Sequence, residues 1–279
     1  MTLNQRVAVI TGSSSGIGRE IALVLAKNGF IVYATMRNLQ RSFELKSMAD
    51  REKLLPSLRF VQLDVTDERS VNNAIHSIYD EAGRIDVLVN NAGYALTGAF
   101  EDLSIDEIKK QYDTNVFGLI RTTQSILPFM RKQKSGIIVN ISSGAGRFGI
   151  PALSGYVSSK FAVEGLSESM SYELEPFGIK TIIVEPGVIN TNFHSSMTVS
   201  KKSQDPHSPY ASLMKSREKS LNRLIENSSS PQYVAEVVAK AITSSKPKLR
   251  YLAGKDVERW IEAKQNMSED DFINVIKQR

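Results

Sequence analysis

The sequence of 279 residues contains no cysteine. It therefore cannot form a disulfide, a thiolate zinc site or an iron–sulfur cluster, and it offers no cysteine nucleophile. Histidine is scarce as well, since only His76, His194 and His207 occur, and no two of them are spaced to share a helical face. A zinc-dependent enzyme, or any other metal site built on these side chains, is not expected.

Long apolar runs are also missing, and no stretch approaches the ~20 residues that a membrane span needs. The segment Met1–Arg6 leads directly into a short apolar run, without the apolar region and small-residue cleavage site of a signal peptide. Basic and acidic residues number 35 and 30, and this excess is too diffuse to indicate nucleic-acid binding. We therefore expect a cytoplasmic protein with no membrane span and no nucleic-acid partner.

Strand-like and helix-like segments alternate along most of the chain. Strands are predicted at Val7–Ile10, Phe30–Ala34, Leu58–Leu63, Ile85–Val89, Gly136–Ile141 and Ile179–Val184. Helices are predicted at 17–28, from Asp67, at 104–134 and at 155–175. Such βαβ alternation predicts an α/β fold, a single-domain doubly wound parallel sheet of the Rossmann type, with about seven strands and helices on both faces.

The domain organisation follows from where this alternation stops. No linker interrupts residues 5–187, so residues 1–279 are predicted to form one domain with 5–187 as its core. The stretch 190–217 is rich in Ser and Lys and contains two prolines, which indicates a mobile loop or lid that extends to about residue 230. Residues 231–279 return to helical patterning, with helices predicted at 231–244 and 256–278.

A glycine-rich turn, Thr11–Gly18, separates the first strand from the first helix. Gly12 permits a tight turn, Gly16 lets backbone approach a pyrophosphate, and Gly18 lets the helix pack closely on the sheet. The helix N-terminus would then offer N–H groups and the positive end of its dipole to the phosphates. A glycine cluster alone is most often only a turn, but the flanking strand and helix favour nucleotide binding.

The glycine spacing is G-x-x-x-G-x-G rather than G-x-G-x-x-G, and it resembles that of the short-chain dehydrogenase/reductase family. Further motifs of that family follow in order: Asn90-Asn91-Ala92-Gly93, Asn115 in Asn115-Val-Phe-Gly118, Ser142-Ser143, Tyr156-Val-Ser-Ser-Lys160 and Pro186-Gly187-Val-Ile-Asn-Thr191. The resemblance covers residues 5–195. It implies that the core binds a nicotinamide dinucleotide and transfers hydride between it and a carbonyl or alcohol.

The predicted catalytic residues are Asn115, Ser143, Tyr156 and Lys160. Tyr156 and Lys160 are four residues apart on one helix, so they share a face, and the ammonium is expected to lower the pKa of the phenol. Alone, such a pair is more often half-exposed helix surface. The resemblance implies that Ser143, thirteen positions before Tyr156, binds the substrate oxygen, with Ser142 as the alternative. It also implies that the Asn115 carbonyl holds a water on Lys160, although this asparagine could also satisfy a helix kink.

The end of the second strand bears on the choice of nicotinamide nucleotide. Met36 stands where NAD-selecting proteins carry a carboxylate, and Arg37 follows it. A neutral residue removes repulsion toward a 2′-phosphate, and a guanidinium can bind one, with Ser14 as a second donor. NADP(H) is therefore expected in preference to NAD(H), although Arg37 could be a solvated surface residue.

The resemblance also implies the remaining cofactor contacts. It assigns Asp64 and Val65 to the adenine, and Ile189 and Thr191 to the carboxamide end of the nicotinamide. The other contacts that it implies are Gly12, Ser15, Gly16, Ile17, Gly18, Asn91, Ala92, Gly93, Tyr156, Lys160, Pro186 and Gly187.

Together these observations predict an NADP(H)-dependent oxidoreductase acting on a carbonyl or secondary alcohol. The segment Tyr33–Asn38 resembles the 17β-hydroxysteroid and retinol dehydrogenase branch, which implies an apolar substrate. The alternatives are a ketoacyl-carrier-protein reductase and a non-catalytic regulator that senses the dinucleotide.

Two further expectations concern the oligomeric state and the substrate pocket. The apolar helices 104–134 and 155–175 predict a homodimer or homotetramer, as the resemblance also implies. Several apolar residues could line a substrate pocket or could equally be ordinary packing, namely Phe148, Leu153, Phe193, Met197 and Met214.

Overall fold

The computed structural model describes residues 5–191, 193 and 197–277, and His194 lies outside the described residues. The strands are β1 Val7–Ile10, β2 Ile31–Met36, β3 Leu58–Gln62, β4 Val87–Asn90, β5 Leu96–Thr97, β6 Gly136–Ile141, β7 Ile179–Pro186, β8 Thr198–Val199 and β9 Arg250–Ala253. The helices are α1 Gly16–Lys27, α2 Phe43–Arg51, α3 Glu68–Ala82, α4 Ile105–Tyr112, α5 Gly118–Gln133, α6 Ser154–Leu174, α7 Ala211–Glu226, α8 Pro231–Thr243, α9 Lys255–Asn266 and α10 Glu269–Lys277.

Seven parallel strands form the main sheet in the order β3-β2-β1-β4-β6-β7-β9. Every residue of β1, β2 and β4 is buried, as a parallel sheet covered on both faces requires. One apolar core lies between the sheet and α1, α2 and α8, and a second lies between the opposite face and α3, α5 and α6. The predicted doubly wound α/β fold is confirmed.

The structure departs from the sequence-based elements at several points. The helix predicted at 104–134 is interrupted by a π-helical turn, Asp113–Phe117, which contains Asn115. Much of the loop predicted at 190–217 is ordered instead, since β8 pairs with β5 and α7 begins at Ala211. The helix predicted at 256–278 is divided into α9 and α10. Strand β9 was not predicted, because its partly buried residues begin with an arginine.

A buried polar network holds the central strands against the helices behind them. The Asn90 side chain donates to Thr123 Oγ1 and Asn140 Oδ1, each at 2.9 Å, and accepts from Thr122 Oγ1 at 2.6 Å. Asn140 in turn donates to Ser167 Oγ at 2.8 Å. These satisfied hydrogen bonds fix the ends of β4 and β6, from which two loops of the candidate site emerge.

Among the described residues, no helix combines the length and the apolar character that crossing a bilayer requires.

Candidate active site

A cavity of about 1130 Å³ lies at the carboxyl ends of the central strands. The strand order reverses between β1 and β4, and open α/β sheets bind ligands in the crevice at such a point. Most of the residues predicted to bind the cofactor line this cavity: Gly12, Ser14, Ser15, Gly16, Ile17, Arg37, Asp64, Val65, Asn91, Ala92, Gly93, Tyr156, Lys160, Pro186, Gly187, Ile189 and Thr191. Of the predicted cofactor contacts only Gly18 does not line it, and of the predicted catalytic residues only Asn115 does not.

The glycine-rich turn is shaped by backbone conformation and by close packing. Gly12 and Gly16 have φ of +68° and +57°, in the left-handed region that favours glycine. A Cβ at Gly12 would lie 2.9 Å from the Cα of Ala92, and a Cβ at Gly18 would overlap the Asn91 amide. Gly18 is therefore required for close packing, and its role as a cofactor contact stays a prediction.

Two residues lock this turn to the loop after β4. Thr11 Oγ1 accepts the backbone N–H groups of Asn91 and Ala92, each at 3.0 Å. The Asn91 Nδ2 donates to the carbonyls of Thr11 and Gly12 at 2.9 and 3.0 Å. The Asn91 side chain therefore holds the turn itself. Sequence reasoning did not single out Thr11, although its place before the first glycine was a visible signal.

Asn115 stabilises the π-helical turn. Its side chain exchanges hydrogen bonds with the Tyr94 backbone, at 3.1 and 3.0 Å, and donates to Ser159 Oγ at 3.2 Å. The side chain is buried away from the cavity, so the kink interpretation describes what it does. The role expected for its backbone carbonyl stays a prediction.

Tyr156, Lys160 and Ser143 all line the cavity. Lys160 Nζ donates to the Ile141 carbonyl at 2.8 Å and lies 5.7 Å from the centre of the Tyr156 ring. The Ser143 hydroxyl lies beside the Tyr156 phenol and lowers its pKa, and its Oγ accepts the Ala145 N–H at 3.1 Å. Ser142 Oγ is buried and has no hydrogen-bond partner among the residues that the structure describes. Of the two candidate serines, Ser143 is therefore the one aligned with Tyr156.

The expected lowering of the Tyr156 pKa is wrong for the protein alone. Burial raises the pKa of Tyr156 to about 12, and the Ser143 hydroxyl offsets this only in part. Burial also lowers the pKa of Lys160 to about 8, although the negative charge of Glu164 opposes the change. Desolvation outweighs the attraction expected between ammonium and phenolate. Near neutral pH the phenol therefore carries a proton, which it can donate.

The segment that follows β2 gives one end of the cavity a basic lining and contributes no carboxylate of its own. Met36 is buried, and the next cavity residues are Arg37, Asn38 and Arg41. Asn38 Oδ1 accepts the Gln40 N–H at 2.9 Å, which starts a short helical turn that brings Arg41 to the cavity. Within the described ranges, neither arginine forms an ion pair. Sequence reasoning missed Arg41, because only the turn brings it beside Arg37.

The opposite end of the cavity is mainly apolar. Of the residues considered for a substrate pocket, Phe148, Leu153, Phe193 and Met197 line the cavity, whereas Met214 does not. Helices α7, α9 and α10 contribute further apolar side chains that the sequence had not indicated: Leu213, Leu221, Leu224, Val257, Trp260 and Ile276.

Asp256 near the start of α9 also lines the cavity and supports the loop after β7. Its Oδ2 accepts the Val188 N–H at 2.7 Å, and its carboxylate fills the space in which a Cβ at Gly187 would lie. Sequence reasoning missed this residue because 69 positions separate it from Gly187.

Comparison with known proteins agrees with this fold. A family model described as short chain dehydrogenase matches residues 6–202, and the chain belongs to this family of oxidoreductases. It is 38% identical to the uncharacterized oxidoreductase YusZ of Bacillus subtilis over 262 residues, which are 92% of this chain and 91% of that protein.

Two further relatives have named activities. Retinol dehydrogenase 8 of Bos taurus is 38% identical over 253 residues, 88% of this chain and 80% of that protein. The 17-beta-hydroxysteroid dehydrogenase type 1 of Homo sapiens is 38% identical over 256 residues, 88% of this chain and 76% of that protein.

Solved structures show the same architecture. A short-chain dehydrogenase from Streptomyces avermitilis superposes with a TM-score of 0.83 at 32% identity, covering 95% of this chain and 93% of the other. ElxO with NADP bound superposes with a TM-score of 0.74 at 29% identity, covering 89% and 97%.

Proposed function

We propose that this protein is an NADP(H)-dependent oxidoreductase that interconverts a carbonyl and a secondary alcohol on an apolar substrate. The observation that carries the proposal is the meeting of Tyr156, Ser143 and Lys160 between the glycine-rich turn and the apolar end of one cavity. This arrangement joins a proton donor, a hydroxyl for the substrate oxygen and a cation at the place where a dinucleotide and a substrate would meet.

The residues around the glycine-rich turn fit a dinucleotide. Ser15, the N-cap of α1, makes no side-chain capping hydrogen bond, and the first turn of α1 contains no acidic residue. The first N–H groups of this helix are therefore available to a pyrophosphate, which the positive end of the helix dipole also favours. The bound nicotinamide would supply the hydride chemistry.

The chain itself would supply the proton and the orientation. Tyr156 carries its proton near neutral pH, so its hydroxyl can donate to a developing alkoxide during reduction. Ser143 lies beside that phenol, and its hydroxyl would hold the same substrate oxygen. Lys160 would place its charge beside the phenol, and a water on the Asn115 carbonyl would complete the path for the proton.

The preference for NADP(H) rests on the basic end of the cavity. Met36 brings no carboxylate to repel a 2′-phosphate, while Arg37 and Arg41 offer guanidinium groups and Ser14 a hydroxyl. ElxO, which is described with NADP bound, supports this choice. The apolar substrate is supported by the lining from α7, α9 and α10 and by the named activities of the retinol and steroid dehydrogenases.

The activity is tested by NADPH oxidation against a panel of aldehydes, ketones, quinones, steroids and acyl thioesters. The Tyr156→Phe variant should bind NADPH as the wild type does and should lose turnover by about 10²–10⁴-fold, the typical contribution of a general acid. A wild-type protein that binds NADPH but reduces no carbonyl of the panel would instead favour a dinucleotide-sensing regulator. Turnover confined to acyl thioesters would favour the ketoacyl reductase.

The cofactor preference is tested by fluorescence titration with NADPH and NADH. Each charge-assisted hydrogen bond is worth about 1.5–3 kcal/mol, so Arg37→Ala and Arg41→Ala should each weaken NADPH binding by about 10–100-fold and leave NADH binding nearly unchanged. Met36→Asp should shift the preference toward NADH. The matched control is Arg51→Ala, which removes an exposed arginine outside the cavity and should change neither affinity. Equal wild-type affinities for the two nucleotides would refute the preference.

A further inference from the structure

A group of charged side chains, two of them buried, lies behind the catalytic residues, and the mechanism above does not use it. We call it the charge cluster, and its members are Arg147, Glu164, Glu168, Glu185 and Arg250. Its members come from the segment after Ser143, from the helix that carries Tyr156, from the strand end before Pro186 and from the edge strand β9. The cluster therefore connects the segments that form the reaction site.

Two arginines link the carboxylates of the cluster. Arg147 Nη1 lies 2.8 Å from Glu185 Oε1, and Arg250 Nε lies 3.0 Å from Glu164 Oε2 and 3.6 Å from Glu185 Oε1. Arg250 Nη2 also contacts Glu168 Oε2 at 2.6 Å. The side chains of Glu185 and Glu164 are only 1% and 7% exposed, whereas that of Glu168 is 44% exposed.

Each of the two buried glutamates has one carboxylate oxygen without a hydrogen-bond donor among the described residues. Glu164 Oε1 and Glu185 Oε2 are buried and accept no hydrogen bond from the described part of the chain. Buried polar atoms are rarely left in this state. A proton on either carboxyl can form a hydrogen bond to the other, which satisfies both oxygens at once.

The electrostatics favour that proton. Burial raises the pKa of Glu185, and the neighbouring Glu164 raises it further by charge and by hydrogen bonding, while Arg147 opposes the shift. The other charged groups facing the pair are Arg250 from β9, and Lys160 and Glu168 from the same helix as Glu164. From α9, Lys264 Nζ donates to the Arg147 carbonyl.

We propose that Glu164 and Glu185 hold one proton between them, and that this acid pair, together with Arg147 and Arg250, positions Ser143 opposite Tyr156. The turn that follows Ser143 packs directly on the pair, since a Cβ at Gly146 would lie 2.9 Å from Glu164 Cγ. Two ionised carboxylates would repel each other and separate α6 from β7. The effect on catalysis rests on the proposed function, whereas the shared proton does not.

The shared proton is tested by the pH dependence of unfolding in wild type and Glu185→Gln. Because the pKa of Glu185 is raised in the folded protein, the stabilisation is complete below its ordinary value of 4.5 and is lost as pH rises through the folded value. As pH rises from the ordinary pKa of Glu185 to its pKa in the folded protein, the ratio of the wild-type unfolding constant to that of the variant should therefore increase by up to about tenfold per pH unit. The amide of Glu185→Gln imitates the protonated carboxyl, because it can donate a hydrogen bond, but it does not ionise in this pH range.

Two further variants make this result specific. Glu164→Gln should reduce the relative pH dependence, since it removes the neighbouring charge that raises the pKa of Glu185, while the burial of Glu185 remains. Glu168→Gln is the matched control, since Glu168 contacts the same arginine. Its unfolding constant should increase with pH as that of the wild type does, because Arg250 lowers the pKa of Glu168 rather than raising it. Parallel pH profiles for wild type and both pair variants would refute the shared proton.

The positioning role is tested by kinetics. Glu185→Ala should lower kcat by about 10–100-fold, as small misplacements of catalytic groups do, and leave NADPH affinity unchanged. Glu185→Gln should restore kcat to near the wild-type value. An alanine variant with wild-type kcat would overturn the positioning role. A wild-type protein without activity would refute the proposed function instead, and the unfolding experiment would still test the shared proton.

Discussion

Gly187→Ala is expected to disrupt the loop that follows β7 and lines the cavity. A Cβ at this position would overlap Cγ and both oxygens of Asp256, so the carboxylate must leave its place. It would then lose the 2.7 Å hydrogen bond that it accepts from the Val188 N–H. Because α9 holds the Asp256 backbone, the carboxylate can relieve the overlap only by rotating away from the Val188 N–H.

The magnitude follows from these two effects. Forcing an extra carbon into a packed site costs about 1–3 kcal/mol, and losing a hydrogen bond to a charged acceptor costs about 1.5–3 kcal/mol. Together the two effects should lower the free energy of unfolding of Gly187→Ala by about 2.5–6 kcal/mol. It should also weaken NADPH binding, since Gly187 and Val188 line the cavity.

A double-mutant cycle separates the two effects. Asp256→Ala alone should cost only the hydrogen bond, and Gly187→Ala added to it should cost less than about 1 kcal/mol, because the space is then free. The expected coupling is about 2 kcal/mol or more, measured by urea unfolding followed by circular dichroism. Strictly additive effects of the two substitutions would refute the overlap.

Gly165→Ala is the matched control for the added carbon. No atom lies within 4 Å of a Cβ at this exposed position in α6. The substitution should raise the free energy of unfolding by about 0.5–1 kcal/mol, because alanine is favoured over glycine within a helix. A loss of stability comparable to that of Gly187→Ala would show that the assay does not report on the overlap.

Two further predictions concern pH and assembly. Burial lowers the pKa of Lys160 to about 8. The value of kcat/KM for carbonyl reduction should therefore be constant below about pH 8 and should fall above that pH, because the ammonium loses its proton. A value of kcat/KM that stays constant through pH 8 would contradict a role for this charge. Phe117 and Phe161 are 50% and 45% exposed, so we predict that the protein self-associates through this face and that Phe161→Asp yields the monomer mass in sedimentation. Phe43→Asp is the control, because Phe43 is 77% exposed and lies in α2 on the other face of the sheet, and this variant should keep the assembly intact. A wild-type protein that sediments as a monomer would refute the prediction.

The sequence by itself determined the features that arise from neighbouring residues. A fully apolar run followed by the glycine-rich turn specifies a strand, a turn and a helix, because the left-handed conformations at Gly12 and Gly16 are local. Tyr156 and Lys160 share a face because helix geometry places residues four apart on the same side. The order of strands and helices likewise indicated the parallel sheet, and with it the place of the cavity.

Only the tertiary structure decided the features that depend on distant contacts and on burial. Asp256 fills the space beside Gly187, and Glu185 lies beside Glu164, although nothing in the local sequence relates the members of either pair. The pKa of Tyr156 is raised rather than lowered, because the packing that surrounds the phenol sets the cost of its charge. Desolvation is a property of the assembled neighbourhood, and a pattern of residues along the chain does not contain it.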